Sequence, residues 1–149
     1  FKKENCFVHK NSAANINIPN KDWVKVAENY YGTPYKWGGK TNLGVDCSGL
    51  LQLSLQSIGI NIPRNTNDQL KLNYKKIIKK TSLIRGDLVF WKGHVGIMID
   101  NKNLLHANAF HMKVCCENLQ TVIDRIKKDT EKNPEFKRIN LDTPFWNKF

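Results

Sequence analysis

Cys47 is the residue whose type and position most clearly predict chemistry. Apolar residues at helical spacing begin just after it, so Cys47 falls in the first turn of a predicted helix that ends at Gly59. The helix macrodipole and the unpaired backbone N–H groups of a first turn stabilise a thiolate, which favours a nucleophile at this position. A buried cysteine at the start of an apolar helix is the non-catalytic alternative.

The neighbours of Cys47 are small or polar. Asp46, Ser48 and Gly49 let the backbone come close to a bound carbonyl group, and backbone N–H groups there could form an oxyanion hole. For Asp46 the alternative role is to cap the helix.

His94 and His106 supply the base and the orienting partner that a nucleophilic cysteine needs. His94 opens a predicted strand, and a turn at residues 100–102 brings the chain back along a second strand that carries His106. In such a hairpin the two imidazoles share a face only if the loop has an odd number of residues or the ladder contains a bulge. The sequence therefore predicts that register, with Gly96 leaving room beside the His94 ring.

A metal site formed by Cys47, His94 and His106 is an alternative, because cysteine and histidine are zinc ligands. No acidic residue or further ligand is spaced to complete the set, so we expect neither a metal nor an organic cofactor. His9 and His111 have no comparable sequence context, and we interpret both as surface residues.

Helical patterns precede strand patterns along the chain, which favours an α+β fold over a doubly wound parallel sheet. We expect helices at 20–30, 47–58 and 66–72 and a further helix capped by Asn118. The expected strands are 76–78, 87–91, 94–99, 103–108, 112–116 and 136–141. Their close spacing indicates an antiparallel meander.

Composition limits the classes of protein that the chain can represent. Its 149 residues are enough for one domain, and 40% hydrophobic with 25% charged residues is too apolar for a disordered chain. The net charge of +11 favours attraction to polyanions, but no nucleic-acid-binding motif accompanies it, so we expect no specific nucleic-acid partner. No apolar run approaches the ~20 residues of a membrane span.

The four cysteines form no CxxC pair, which argues against a structural zinc site and a disulfide framework. Cys115 and Cys116 are adjacent, so on a strand one should point inward and the other outward. Unpaired thiols favour a reducing compartment such as the cytoplasm, with the cell envelope as the alternative location.

Five segments, in this order and spacing, resemble the NlpC/P60 cysteine peptidases. They are TPYKWGG at 33–39, GVDCSGL at 44–50, RGDLVFW at 85–91, HVGI at 94–97 and LHA at 105–107. The resemblance extends over residues 22–116 and implies a papain-like fold, with N-terminal helices packed on an antiparallel sheet. It also implies hydrolysis of bacterial cell-wall (murein) peptides, after γ-D-glutamyl and before a diamino acid.

By the same resemblance, Cys47 is the nucleophile, His94 the base and His106 the third, orienting residue. Two rivals remain. One is a related thiol amidase or acyltransferase on the same fold, and the other is a catalytically idle wall-binding module. The intact trio argues against the idle module, which has no need of it.

The resemblance also assigns roles around the nucleophile. Tyr35 would shape the oxyanion site, and Asp46 and Ser48 would contact the amino end of the substrate; loop packing is the alternative role for Tyr35. Arg64 falls where the family often has Pro-Arg, and a structural ion pair accounts for it equally well.

Three regions are expected along the chain. Residues 1–20 are a lead-in or the remnant of an upstream module, 21–142 the catalytic domain and 143–149 a C-terminal tail. The tail and the NAFHM segment at 108–112 resemble the branch of the family that carries SH3-like domains upstream. We expect a monomer.

Overall fold

The computed structural model describes residues 22–77, 79–129, 133–139 and 141. The expected lead-in at 1–20 and tail at 143–149, together with Cys6 and His9, lie outside the described residues. Helices and an antiparallel sheet make up the described part, which confirms the predicted α+β class. In this part of the chain, no helix has the length and apolar character needed to cross a membrane.

The helices begin where capping side chains are available. Asp22 caps α1, and its carboxylate accepts a hydrogen bond from the Lys25 N–H at 3.1 Å. Asn118 lies at the start of α4 and accepts one from the Gln120 N–H at 2.9 Å. The helices are α1 (Trp23–Glu28), α2 (Cys47–Gln56), α3 (Thr66–Gln69) and α4 (Leu119–Asp129), with a short 3₁₀ helix at Lys80–Ser82.

Eight strands are found among the described residues, in two antiparallel sheets. A small hairpin, which the sequence pattern did not predict, consists of β1 (Lys40–Thr41) and β2 (Gly44–Val45). The main sheet has the order β3-β8-β4-β5-β6-β7. Its strands are β3 (Lys75–Ile77), β4 (Leu88–Trp91), β5 (His94–Met98), β6 (Asn103–Asn108), β7 (Lys113–Asn118) and β8 (Glu135–Arg138). The predicted meander is confirmed for β4 to β7, whereas β8 inserts between β3 and β4.

Both faces of the main sheet are covered by helices. Alternation along β5 directs Val95 and Ile97 into a core shared with α1 and α2, where Leu51 of α2 is fully buried. Met98 belongs to a second core, shared with Val122 of α4. Strand β5 therefore runs between the helix that begins at the cysteine and the helix that closes the opposite face.

Gly96 has a role in the packing of the second core. A Cβ atom at this position would lie 2.7 Å from the Cγ and Cδ1 atoms of Leu104, whose side chain is fully buried. The absence of a side chain at Gly96 thus makes room for Leu104 in the second core. Its predicted role beside the His94 ring stays a prediction.

A buried ion pair joins the inserted strand to the meander. Asp87, which is buried, accepts hydrogen bonds from Nε and Nη2 of Arg138, both at 2.7 Å. The same carboxylate accepts one from the Ile84 N–H at 2.8 Å. Strand β8 is therefore held by side-chain bonds as well as by its ladder to β4.

Candidate active site

The β5–β6 hairpin has the predicted register. The Ile99 N–H donates to the Asn103 carbonyl at 3.0 Å, which leaves a loop of residues 100–102, an odd number. Nε2 of His94 consequently lies 2.8 Å from Nδ1 of His106, within hydrogen-bonding distance. The structure thus brings together the two histidines that sequence analysis selected.

The next residue in this hydrogen-bonded chain is Glu117 on β7. Its Oε2 lies 2.8 Å from Nε2 of His106, which is 1% exposed. Arg125 of α4 donates to both carboxylate oxygens, at 2.7 and 2.8 Å, and Nε2 of His111 lies 3.1 Å from Oε1. His111 is exposed, as the sequence predicted, and its ring also contacts this network through Glu117.

The Cys47 thiol lies at the beginning of β5. Its Sγ is 3.8 Å from Oγ1 of Thr66 and 3.9 Å from the carbonyl oxygen of Gly93, the residue before His94. Within the described residues no hydrogen bond joins Sγ to the His94 ring. The structure therefore places nucleophile candidate and base candidate on adjoining segments, without a direct bond between them.

Burial determines the charge state of the site. Burial raises the pKa of the Cys47 thiol, and the Asp46 carboxylate at the same helix start raises it further, against hydrogen bonds from the Val95 N–H and Thr66 that lower it. Burial and the neighbouring His106 lower the pKa of His94 to about 3. These directions favour a neutral thiol and a neutral imidazole in the free site, rather than the thiolate expected from the helix start.

Asp46 forms a structural network at the start of α2. Its carboxylate accepts hydrogen bonds from the N–H groups of Gly49 and Gly38, at 2.7 and 2.8 Å. Arg64 donates to both of its oxygens, at 2.9 and 2.6 Å. Burial alone would raise the Asp46 pKa, but these bonds hold it below its usual value. Helix capping by Asp46 and the structural ion pair of Arg64 are thus both observed.

The first turn of α2 leaves two candidates for oxyanion binding. The Gly49 N–H is taken by Asp46, whereas the N–H groups of Cys47 and Ser48 stand beside the thiol. The Ser48 hydroxyl is itself held by a 2.8 Å hydrogen bond from Arg64. The remaining candidate donors for the predicted oxyanion hole are therefore the backbone N–H groups of Cys47 and Ser48.

A cleft of about 690 Å³ opens above the thiol. It is lined by Cys47, Asp46, Ser48, Tyr35, Arg64 and Gly93 among others, so the predicted contact residues share one surface. Burial, and then the nearness of Cys47 and Asp46, raises the pKa of the Tyr35 hydroxyl. Trp37, at 84% exposed, stands at the rim, where it offers a flat apolar face to a ligand.

Within the described residues, Cys47 and His94 do not join His106 in a group of possible metal ligands. In the described part of the chain, the donor atoms close enough to share an ion belong to His106, Cys115 and Glu117, all within 4.8 Å of one another. The Arg125 guanidinium occupies both Glu117 oxygens, and the Asn108 amide donates to the Cys115 sulfur at 3.1 Å. A fixed positive charge beside the donors opposes a cation, so the cluster fits a hydrogen-bond network.

Cys115 and Cys116 occupy opposite faces of β7, as predicted. Cys115 is buried on the His106 face, with which it is paired in register. Cys116 is only partly exposed, because it packs against the α2 core. Neither thiol thus points freely into solvent.

Sequence analysis missed Glu117, Arg125 and Thr66. The signal for Glu117 was alternation, because it lies two residues after Cys115 and so on the His106 face, but the predicted strand stopped at residue 116. Arg125 and Thr66 reach the site from α4 and α3, and no local pattern marks that approach.

Fold and site together define an α+β protein in which a cysteine at a helix start lies beside a histidine hairpin of an antiparallel sheet. The sequence pattern of the NlpC/P60 family matches residues 32–128. The chain belongs to the NlpC/P60 family.

Two curated relatives and one solved structure illustrate this membership. The probable endopeptidase NlpC homolog of Haemophilus influenzae is 40% identical over 91 residues, which cover 59% of this chain and 49% of the relative. The bifunctional muramidase/DL-endopeptidase CwlT of Bacillus subtilis is 40% identical over 94 residues, which cover 57% of this chain and 28% of the relative. The chain thus spans about half or less of the length of these relatives.

The solved structure is the NlpC/p60 domain of the peptidoglycan hydrolase SagA. It superposes with a TM-score of 0.63 at 31% identity and covers 80% of this chain and 97% of that domain. This agreement confirms the helix and sheet arrangement that the resemblance implied.

Proposed function

We propose that this chain is a cysteine peptidase that hydrolyses bacterial cell-wall (murein) peptides. The main observation behind this proposal is the hydrogen bond of 2.8 Å between His94 Nε2 and His106 Nδ1. It lies close to the Cys47 thiol, which lines an open cleft. It leaves His94 Nδ1 without a hydrogen bond among the described residues, so this nitrogen can act as a base. Relatives named as endopeptidases and a structural neighbour named as a peptidoglycan hydrolase support the substrate class.

The proposed reaction starts from the neutral pair. As the Cys47 sulfur attacks the amide carbonyl carbon, its proton moves to Nδ1 of His94, and the N–H groups of Cys47 and Ser48 stabilise the oxyanion. The C–N bond then breaks, His94 protonates the leaving amine, and a thioester remains on Cys47. Water, deprotonated by His94, releases the acyl group and restores the thiol. Tyr35 borders the oxyanion side of the cleft.

The proposed bond lies between γ-D-glutamyl and a diamino acid. The resemblance in residues 22–116 supports this choice, and one relative, CwlT, is named as a DL-endopeptidase. Asp46 and Ser48 line the cleft beside the thiol, where they would receive the amino end of the peptide. Because Arg64 already pairs with Asp46, we expect the peptide amine to share this carboxylate with Arg64.

Mass spectrometry of muropeptide fragments tests the proposal. Incubation with the protein should yield new fragments split at the γ-D-glutamyl bond, and Cys47→Ala should reduce their formation at least ~10³-fold with the fold intact. Cys116→Ala is the matched control. This variant should cleave muropeptides like the native protein, because Cys116 lies on the face of β7 opposite to His106 and Glu117. Absence of new fragments would favour the idle binding module. Acyl transfer to an added amine, without hydrolysis, would favour the acyltransferase.

A further inference from the structure

The hydrogen bonds from β5 to β7 fix the proton positions on two imidazoles. An ionised carboxylate can only accept, so Glu117 requires a proton on Nε2 of His106. Nδ1 of that neutral ring must then accept, which requires a proton on Nε2 of His94. The remaining nitrogen, His94 Nδ1, is consequently the one with a free lone pair.

We propose that Glu117 is a positioning residue for the hydrolysis: through His106 it holds His94 in the tautomer whose Nδ1 can accept the thiol proton, and its charge balances the imidazolium that then forms. The catalytic part of this proposal rests on the proposed function. The tautomer part is a property of the free protein and can be tested without substrate.

Glu117 carries a negative charge, which a neutral histidine in the third position of the catalytic set does not supply. In a Ser-His-Asp triad the third residue is an anion that both orients the base and stabilises its cation. His106 is a neutral ring and can only orient. Glu117, with a side chain 13% exposed, supplies a poorly screened negative charge one imidazole further along.

The positive charge of Arg125 opposes the negative charge of Glu117. Its two hydrogen bonds fix the plane of the Glu117 carboxylate and hold its pKa well below the usual range. The guanidinium is in turn stacked 4.2 Å from the centre of the Phe110 ring. Among the described residues, His111 from the adjoining loop and Cys115 from β7 also face Glu117, besides His106. Burial and His106 lower the pKa of His94 most, and of the two charged residues beyond them Arg125 lowers it further while Glu117 raises it.

Two neutralising substitutions should shift activity in opposite directions. Glu117→Gln keeps an acceptor for His106 but removes the charge, so kcat/KM for the muropeptide should fall roughly tenfold through a lower kcat. The acid limb, which is the decline of kcat/KM at low pH, should move to lower pH because His94 loses a nearby negative charge. Arg125→Gln should move the acid limb to higher pH, and Arg125→Lys, which keeps the charge, should restore the native limb. Glu135→Gln is the matched control, because it removes an exposed carboxylate from β8, outside the network.

A role confined to the stability of the fold would lower kcat in both neutral variants without moving either acid limb. Unchanged limbs, or shifts in the same direction, would therefore overturn the proposal. Circular dichroism at each pH, with the thermal midpoint, shows whether each variant is folded over the range used.

Nitrogen NMR of the imidazole rings supplies the readout without substrate. In the free native protein and in Glu117→Gln, both His94 and His106 should carry their proton on Nε2. Glu117→Ala should mix the tautomers. Alkylation of Cys47 by iodoacetamide at pH 7 should be slower in Glu117→Gln and faster in Arg125→Gln.

The two proposals fail in distinguishable ways. If the native protein cleaves no muropeptide, the NMR and alkylation results still decide the role of Glu117. A proton on Nδ1 of His106 in the native protein would overturn that role whatever the substrate is.

Discussion

At the residue scale, a neutral Cys47–His94 pair determines how the proposed reaction would start. A thiolate that was already formed would react with any electrophile that reached the cleft. A neutral thiol becomes a nucleophile only as its proton moves to His94, which requires a carbonyl carbon in place and an acceptor for the oxyanion. The buried pair thus couples the reactivity of Cys47 to substrate position.

His106 can be replaced by an amide more readily than by alanine. In His106→Gln the amide oxygen can accept from His94 Nε2 while the NH₂ group donates to Glu117, whereas His106→Ala leaves both partners unpaired and a buried space. We expect His106→Gln to retain at least about tenfold more kcat/KM than His106→Ala. We also expect the alanine variant to lose about 2–3 kcal/mol of unfolding free energy.

Muropeptide kinetics and urea denaturation of both variants measure this difference. Equal losses of activity in the glutamine and alanine variants would show that His106 does not orient His94.

The candidate catalytic residues were accessible to sequence analysis because their signals are local. Cys47 stands at a helix start, and His94 and His106 flank a short turn, so periodicity alone brings each to a predictable place. Their charge state was not accessible, because it depends on burial by segments distant in sequence. Glu117 depended on the exact end of a strand, which is the least defined part of such a pattern.

At the element scale, the approach of α2 to the loop before β1 positions the thiol. A Cβ atom on Gly49 would lie 2.4 Å from the Gly39 carbonyl oxygen, a backbone atom that cannot move without shifting the loop. We therefore expect Gly49→Ala to lower the free energy of unfolding by about 2–3 kcal/mol and to reduce kcat/KM with it.

The exposed Gln56→Ala on the same helix is the control for Gly49→Ala, with a change within about 0.5 kcal/mol. Urea denaturation and muropeptide kinetics on both variants check the prediction. A Gly49→Ala protein with native stability would show that the loop yields freely.

Most elements follow from periodicity and capping, but their arrangement does not. The meander β4 to β7 is predictable because neighbouring strands are joined by short turns. The pairing of β8 with β4 joins residues 135–137 to 88–90, and no pattern in either segment selects the other as partner. The β1–β2 hairpin has two residues in each strand, too short for alternation to be seen.

At the scale of the whole molecule, buried neutral histidines make stability depend on pH. Burial lowers the pKa values of His94 and His106, so below about pH 6.5 the unfolded chain binds protons that the folded chain does not. Unfolding free energy should therefore decrease as pH falls, by up to about 1.4 kcal/mol per pH unit for each histidine, and for His94 until its folded pKa of about 3.

The carboxyl groups of Asp46 and Glu117 have lowered pKa values and add to this loss only below about pH 4, where they protonate in the unfolded chain. Urea denaturation at pH 7, 6 and 5 isolates the histidine contribution. The His106→Gln variant should show a shallower dependence on pH, and identical slopes in native and variant proteins would contradict this assignment.

The insertion of β8 also sets a requirement during folding. Until residues 135–138 dock, the sheet has an open edge at β4 and an Asp87 carboxylate without its Arg138 partner. Burying that charge alone is costly, so the meander cannot settle fully on its own. Docking of β8 pairs this edge and brings Arg138 to Asp87 in one step, so the sheet that carries His94 and His106 is complete only when the last described strand is in place.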